Sequence, residues 1–338
     1  MTTYAFELSG EHETLPKSEA LALVEAFSTS YSVVSSFDQC LIVEAEGLDV
    51  QILGSRLAMT HSIIEVMAVC DADPSALAAA AEALDLPSKS YMVRARRIKS
   101  FLPAGDVVER EMGRILYRRG FRADLSMPEI VLRAVITCGK IVIGRQAAKV
   151  DRGSFEARRP HLKPFFHPGV LMPRMARALI NLTQVRAGGA MLDPFAGTCG
   201  ILIEACLIGA RGLAIEAQPN LVRGASCNLQ GLECSLMLGD AKRLPLKSSS
   251  IDAAVLDTPY GRSAKILARS KEILLQESLS ELYRVIKPGC RMAIVADRPL
   301  ESLLHSAGFD IIEAHTDRVH RSLVRHIFLC KRARKGSF

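Results

Sequence analysis

Residues 253–263, AAVLDTPYGRS, run apolar for four positions and then meet an acid, a threonine, a proline and an aromatic ring. A proline disfavours helical backbone in the residue before it, so Pro259 holds Thr258 extended. The Asp257 carboxylate and the Thr258 carbonyl can then accept both hydrogens of one exocyclic amine, while Tyr260 stacks on the ring that carries it. Such an amine is a poor nucleophile, because its lone pair is delocalised into the ring. Two acceptors stabilise the positive charge that grows on the nitrogen and hold its lone pair toward an electrophile. A sulfonium methyl is an electrophile of this kind and needs no metal. Taken alone, Asp-x-Pro-Tyr reads equally well as a tight turn. The residues upstream decide.

Asp193-Pro194-Phe195-Ala196-Gly197-Thr198-Cys199-Gly200 ends an apolar strand and opens a helix. Glycines there let backbone approach a ligand closely, at the sheet edge where open α/β folds bind. The spacing is neither Gly-x-Gly-x-x-Gly nor a P-loop. Glu216 ends the next strand, 23 residues past Asp193, where an acid can accept from ribose hydroxyls. Asp240, in Gly239-Asp240-Ala241, ends a third strand and can accept from an adenine amine. Each feature has an ordinary alternative as a structural corner or a solvated acid. Three such turns along one edge space their carboxylates for a nucleoside.

The elements that position these residues follow from hydrophobic periodicity. After residue 170, apolar strands AMLDPF, RGLAIEA, SLMLGD, IDAAVLD and RMAIVAD alternate with helices expected at 172–183, 199–209, 219–230, 272–286 and 300–307. Near-continuous apolar strands with crossover helices predict a doubly wound, mostly parallel sheet. Between FDIIEAH and RHIFLCK the chain is too short for a parallel crossover, so the last pair is expected antiparallel. The first 150 residues read as βαββαβ followed by further strand and helix, a small α+β module with a hairpin over Cys138-Gly139. Residues 151–169, basic and with three prolines, read as a linker.

Charge is segregated along the chain. Residues 1–88 hold two Lys or Arg against fourteen Asp or Glu, whereas residues 89–160 hold seventeen against seven. An acidic module that gives way to a basic one suits a polyanion, nucleic acid being the commonest; a solvated basic surface is the alternative. Nine scattered cysteines form no Cys-x-x-Cys pair, which argues against a zinc knuckle or disulfide framework and for a reducing compartment. No apolar run reaches the ~18 residues of a membrane span, and the N-terminus lacks the pattern of a secretion signal. A cytoplasmic protein without a metal is expected. His161 and His167 sit among prolines and basic residues, more as loop residues than as a general base. The basic tail 331–335 is either a solvated terminus or a phosphate contact.

In this order the motifs resemble S-adenosylmethionine-dependent amino-methyltransferases. The longer stretches RRPHLKPFFHPGVLMPRMARALINL, DPFAGTCGILIEA and DTPYGRS resemble the archaeal tRNA guanosine-10 N2-methyltransferases, and FRADLSMPE extends the likeness more weakly. The resemblance implies a C-terminal Rossmann-like methyltransferase sheet, mostly parallel with the last strand antiparallel, behind an N-terminal α+β ferredoxin-like and THUMP-like module. The implied divisions are 1–50 ferredoxin-like, 51–150 THUMP-like and RNA-binding, 151–169 linker and 170–338 catalytic. It further implies that Asp193, Pro194, Ala196, Gly197, Thr198 and Gly200 wrap S-adenosyl-L-methionine, with Glu216 on the ribose and Asp240-Ala241 at the adenine. His167-Pro168 would lie near the methionine end. Asp257, Thr258, Pro259 and Tyr260 would hold guanine; the charge excess of residues 89–160 makes Arg94, Arg96, Arg97, Arg118 and Arg119 the expected RNA contacts. Thr258 stands where that family usually has a second proline. The partner implied is tRNA, and the need for a small activator subunit stays open on the sequence. Three alternatives stay open on the sequence: another RNA guanosine N2-methyltransferase, a DNA amino-methyltransferase, and an RNA chaperone built on a degenerate methyltransferase fold.

Overall fold

The computed structural model describes residues 1–86, 90–99, 101–259, 268–321 and 323–333, with backbone alone for 268–270. The chain divides into two compact units, Met1–Asp151 and Arg152–Phe338.

The first unit opens with β1 (Thr2–Leu8), α1 (Leu15–Phe27), β2 (Ser30–Phe37), β3 (Cys40–Glu46), α2 (Val50–Arg56) and β4 (Thr60–Asp71). It continues with α3 (Pro74–Ala83), β5 (Ser90–Arg97), α4 (Gly105–Arg118), β6 (Arg122–Ala123), β7 (Ile130–Thr137) and β8 (Lys140–Lys149). All eight strands form one sheet in the order β2-β3-β1-β4-β8-β7-β5-β6. Its first four strands with α1 and α2 have the expected βαββαβ sequence. The boundary expected near residue 50 falls inside this continuous sheet, where α2 begins. Asp49 and Asp73 start α2 and α3 by accepting hydrogen bonds from the free amides of the first turn. β7 and β8 pair antiparallel across Cys138 (φ 48°) and Gly139 (φ 73°), the two left-handed residues that a tight hairpin turn requires.

The second unit begins with two short 3-10 turns, Gly153–Arg158 and Pro160–Leu162, in the stretch expected as a linker. Then follow α5 (Pro173–Leu182), β9 (Ala190–Asp193), α6 (Gly200–Cys206), β10 (Arg211–Glu216), α7 (Pro219–Asn228) and β11 (Cys234–Leu238). β12 (Ile251–Asp257), α8 (Ala268–Val285), β13 (Ile286–Ala296), α9 (Glu301–Ser306), β14 (Phe309–His320) and β15 (Leu323–Arg332) complete it. The strand order is β11-β10-β9-β12-β13-β15-β14, parallel up to β13, with β15 antiparallel to both β13 and β14. β9 lies between β10 and β12, so the chain reverses its direction of winding there. Open α/β sheets bind ligands at that crevice, beyond the carboxyl ends of the strands. The α8 side of the sheet is sealed by an apolar cluster that includes Leu256, Leu279, Leu282, Met292, Ile294 and Phe328. Among the described residues no helix is long and apolar enough to cross a membrane.

Candidate functional site

A cavity of about 700 Å³ opens at the carboxyl ends of β9, β10 and β12. Asp193, Pro194, Ala196, Gly197, Thr198 and Gly200 line it from the β9–α6 turn. Glu216 ends β10 beside them, Asp240 and Ala241 follow β11, and His167 and Pro168 close another side. Asp257, Thr258 and Pro259 line it from the end of β12. Tyr260 lies outside the described residues. Sequence reading did not single out the apolar wall, which includes Val170, Leu171, Ile201 and Leu221. In a sequence, aliphatic residues look the same whether they face a core or a ligand.

The β9–α6 turn is built from its own backbone. Gly197 (φ 51°) and Cys199 (φ 62°) both adopt left-handed backbone, and Gly197 does so without steric cost. Glu216 fixes this turn to its own strand end: one carboxylate oxygen accepts from Gly197 N at 2.9 Å and the other from Gln218 N at 2.8 Å. Asp193 is buried and accepts from Phe195 N at 3.0 Å. Burial pushes its carboxyl up to about 8, and the like charges of Asp257 and Glu216 add to the rise, against that hydrogen bond. Asp240 is exposed and accepts from Lys242 N at 2.9 Å.

β12 stops where it does for a backbone reason. Asp257 pairs with Val295, and Thr258 N donates to Val295 O at 2.9 Å; Pro259 has no N–H to continue the ladder. Thr258 is thus fixed by the sheet and buried, and Asp257 is carried to the rim of the cavity.

The wall at 163–171 is tied down by residues that no motif marked. Asn228, at the end of α7, accepts from Phe165 N at 3.0 Å, donates to Phe165 O at 2.9 Å and donates to Thr198 O at 3.1 Å. The Phe165 ring lies over Gly224, where an added Cβ would come within 2.5 Å of the ring. Upstream, buried Glu204 of α6 receives Arg158 Nε at 2.7 Å and Arg177 Nη2 at 2.8 Å, and both guanidiniums stack on Phe155. Lys163 packs beside Gly200, its Nζ 3.7 Å from where a Cβ would stand, and burial holds its amine below the usual lysine range.

The five arginines expected to meet RNA lie in the first unit and differ in their engagements. Arg96 joins Arg133 on buried Glu7, and Arg119 donates to the carbonyls of Ala81 and Leu84 at the end of α3. Arg94 lies 3.9 Å from Glu109, while Arg97 and Arg118 are exposed.

The donor set suits a cationic nucleoside. Glu216, Asp240 and Asp257 border the cavity together with Asp193, whose proton a cation would displace, so a sulfonium or ammonium is favoured there, and the strand-end acids alternate with backbone turns as a ribose and an adenine require. These residues fit S-adenosylmethionine.

Comparison with known proteins agrees. A family model described as UPF0020, an RMKL-like methyltransferase domain, matches residues 160–327. The chain is 35% identical to the tRNA (guanine(10)-N2)-dimethyltransferase of Methanothermobacter thermautotrophicus, over 96% of this chain and 98% of that one. It is 29% identical to the enzyme of the same name from Methanocaldococcus jannaschii, over 97% and 99% of the two chains. Among solved structures, TrmN from Thermus thermophilus superposes with a TM-score of 0.57 at 21% identity, covering 98% of this chain and 99% of that one, and so shares the fold. The match in sequence covers 96% of this chain and so extends through both units. The chain belongs to the tRNA (guanine(10)-N2)-dimethyltransferase family.

Proposed function

We propose that this chain, by its family an S-adenosylmethionine-dependent tRNA guanine-10 N2-methyltransferase, holds the guanine amine between Asp257 and the Thr258 carbonyl. The observation that carries this reading is the end of β12. There Asp257 and Thr258 share one cavity with the strand-end acids Asp193 and Glu216. When bound, S-adenosylmethionine supplies an electrophilic sulfonium methyl. The residues of the chain do the rest. Glu216 and Asp240 orient the nucleoside, Asp193 and the β9–α6 turn hold the methionine side, and His167-Pro168 cover it. The Asp257 carboxylate and the Thr258 carbonyl each accept one hydrogen of the amine. As the nitrogen takes on positive charge, that carboxylate stabilises it, an interaction stronger in the transition state than in the ground state, and the proton that the methylated nitrogen then sheds passes to solvent. Tyr260 stacks on the guanine. The amine lies inside a tRNA stem, so the nucleotide is flipped out before it reaches Asp257.

In this reading residues 1–50 form the ferredoxin-like segment and 51–150 the RNA-binding module, with Arg97 and Arg118 as phosphate contacts. The enzyme works in the cytoplasm, where its substrate is. Nucleoside mass spectrometry of an unmodified tRNA transcript, after incubation with enzyme and cofactor, tests the assignment. N2-methylguanosine and N2,N2-dimethylguanosine are the expected products; a methyl on a ring nitrogen, ribose or carbon would overturn it. The same assay, run with and without a small activator subunit, tests whether the chain needs one.

A further inference from the structure

The edge of the second sheet that carries the cavity is acidic, bordered by Glu216, Asp240 and Asp257. An RNA phosphate approaching Asp257 meets like charge that the ~8 Å Debye length of physiological salt does not fully screen. Attraction has to come from cations placed beyond those carboxylates.

The strand register shows where such cations stand. Asp257, the last residue of β12, pairs with Val295, and Ala296, the last residue of β13, pairs with His326 of β15. Pairing of β14 with β15 continues past that level, from Asp317–Arg325 through Arg318–Val324 to His320–Leu323. Residues 323–325 therefore carry the hairpin beyond the carboxyl edge, by roughly 10 Å at 3.4 Å per residue. In the order β12-β13-β15-β14 the two hairpin strands are two and three strands from Asp257, roughly 10 and 14 Å to the side at 4.8 Å per strand, with Arg318 on the farther one. The overshoot carries exposed Arg318 and Arg321, and Arg325 lies 3.8 Å from Asp317. From Arg318 to the end of the chain there is no Asp or Glu.

We propose that the tip of the β14–β15 hairpin is an RNA-backbone contact, in which Arg318 and Arg321 hold phosphates beside the guanine drawn into the site. This rests on the assignment of Asp257 and Thr258 as the amine acceptors. A guanidinium pairs with phosphate oxygens through two parallel N–H bonds, so Arg318 on β14 and Arg321 in the turn that follows would fix register as well as add affinity. The hairpin supplies a positive flank to a negative pocket. The base enters, and its backbone stays outside.

The test measures tRNA binding by the full chain at several salt concentrations. For Arg318→Ala/Arg321→Ala, affinity for an unmodified tRNA transcript should fall about tenfold, and the slope of log K against log salt should become shallower by about 2, at ~0.9 for each phosphate that the protein no longer neutralises. Arg318→Lys/Arg321→Lys should recover the slope, because it keeps the charge. Cofactor affinity and melting temperature should match wild type, which excludes misfolding as the cause. Wild-type tRNA affinity and slope in the alanine variant would overturn the proposal, as would an equal loss of affinity in the lysine variant. Asp257→Ala separates the two assignments: normal methylation by that variant refutes the amine site, whatever the hairpin variants do.

Discussion

Asn228 clasps the backbone of Phe165 at both its N–H and its C=O, and the same side-chain amide reaches the carbonyl of Thr198. One residue at the end of α7 thus joins the wall at 163–171 to the turn that precedes α6. Asn228→Ala should leave these polar groups without their partner, at about 1–3 kcal/mol for each one that stays buried. Isothermal titration should show weaker cofactor binding, and amide exchange should quicken in 163–171. Asn228→Asp keeps the acceptor for Phe165 N but sets a carboxylate against two carbonyls, so it should be no better than alanine. Unchanged cofactor affinity in both variants would remove Asn228 from the binding architecture.

The raised Asp193 carboxyl predicts a proton linked to cofactor binding. Below about 8 the free protein holds that proton, and a cationic ligand favours the ionised form, so binding should release it. Affinity should therefore strengthen from pH 6 to pH 8, by at most about tenfold per unit. Calorimetry in buffers of different ionisation enthalpy would detect the released proton, and Asp193→Asn should flatten the profile. Without ligand the sign reverses. The folded state binds this proton more tightly than the unfolded chain, so its contribution to stability is full below the ordinary carboxylate pKa of 3.8 and is lost as pH rises toward about 8. Melting temperature should fall over that range in wild type and less in Asp193→Asn.

Asp257→Ala should reduce methyl transfer by orders of magnitude with little change in cofactor affinity, because the carboxylate acts on the amine in the transition state. Single-turnover kinetics with saturating tRNA would show this directly. Thr258→Pro removes the N–H that donates to Val295. It should cost about 0.5–1.5 kcal/mol of stability and retain activity, since the carbonyl remains. Loss of activity without loss of stability would mean that the threonine side chain matters.

Glu204 is buried between Arg158 and Arg177. Glu204→Gln leaves both guanidiniums near Phe155 without their counter-charge, and breaking a buried pair from one side costs about 3–5 kcal/mol. Urea denaturation should record that loss. A variant as stable as wild type would mean that water already solvates the two arginines.

Asp193, Glu216 and Asp257 were legible in the sequence because each ends an apolar run, and a strand that stops on an acid puts that acid at a sheet edge. The crossover helices were legible for a similar reason, the near-continuous apolar runs of the strands giving way to a spacing of 3.6. Asn228 was not, since an asparagine near a helix end is ordinary and its partners lie 63 and 30 residues away. Charge counting grouped five arginines as RNA contacts, but it cannot distinguish Arg96, paired with Glu7, from Arg97, which is exposed. The hairpin was expected, but its overshoot was not. Alternation of side chains indicates a strand without saying which residue faces which.

β4 is hydrogen-bonded along one edge to β1 and along the other to β8. Ala5 of β1 and Ile42 of β3, on one side of it, share an apolar cluster with its own Ile64 and with Val135 and Val142 on the other side. The two halves of the first unit therefore have no plane along which they can part: cutting the chain near residue 50 would strip β4 of one partner and open that cluster to water. Melting should occur as a single cooperative step across residues 1–151, with the β4 amides exchanging last. Because β1 must wait for β4, and β4 for β8, these pairings close long loops, and the unit should fold slowly for its size.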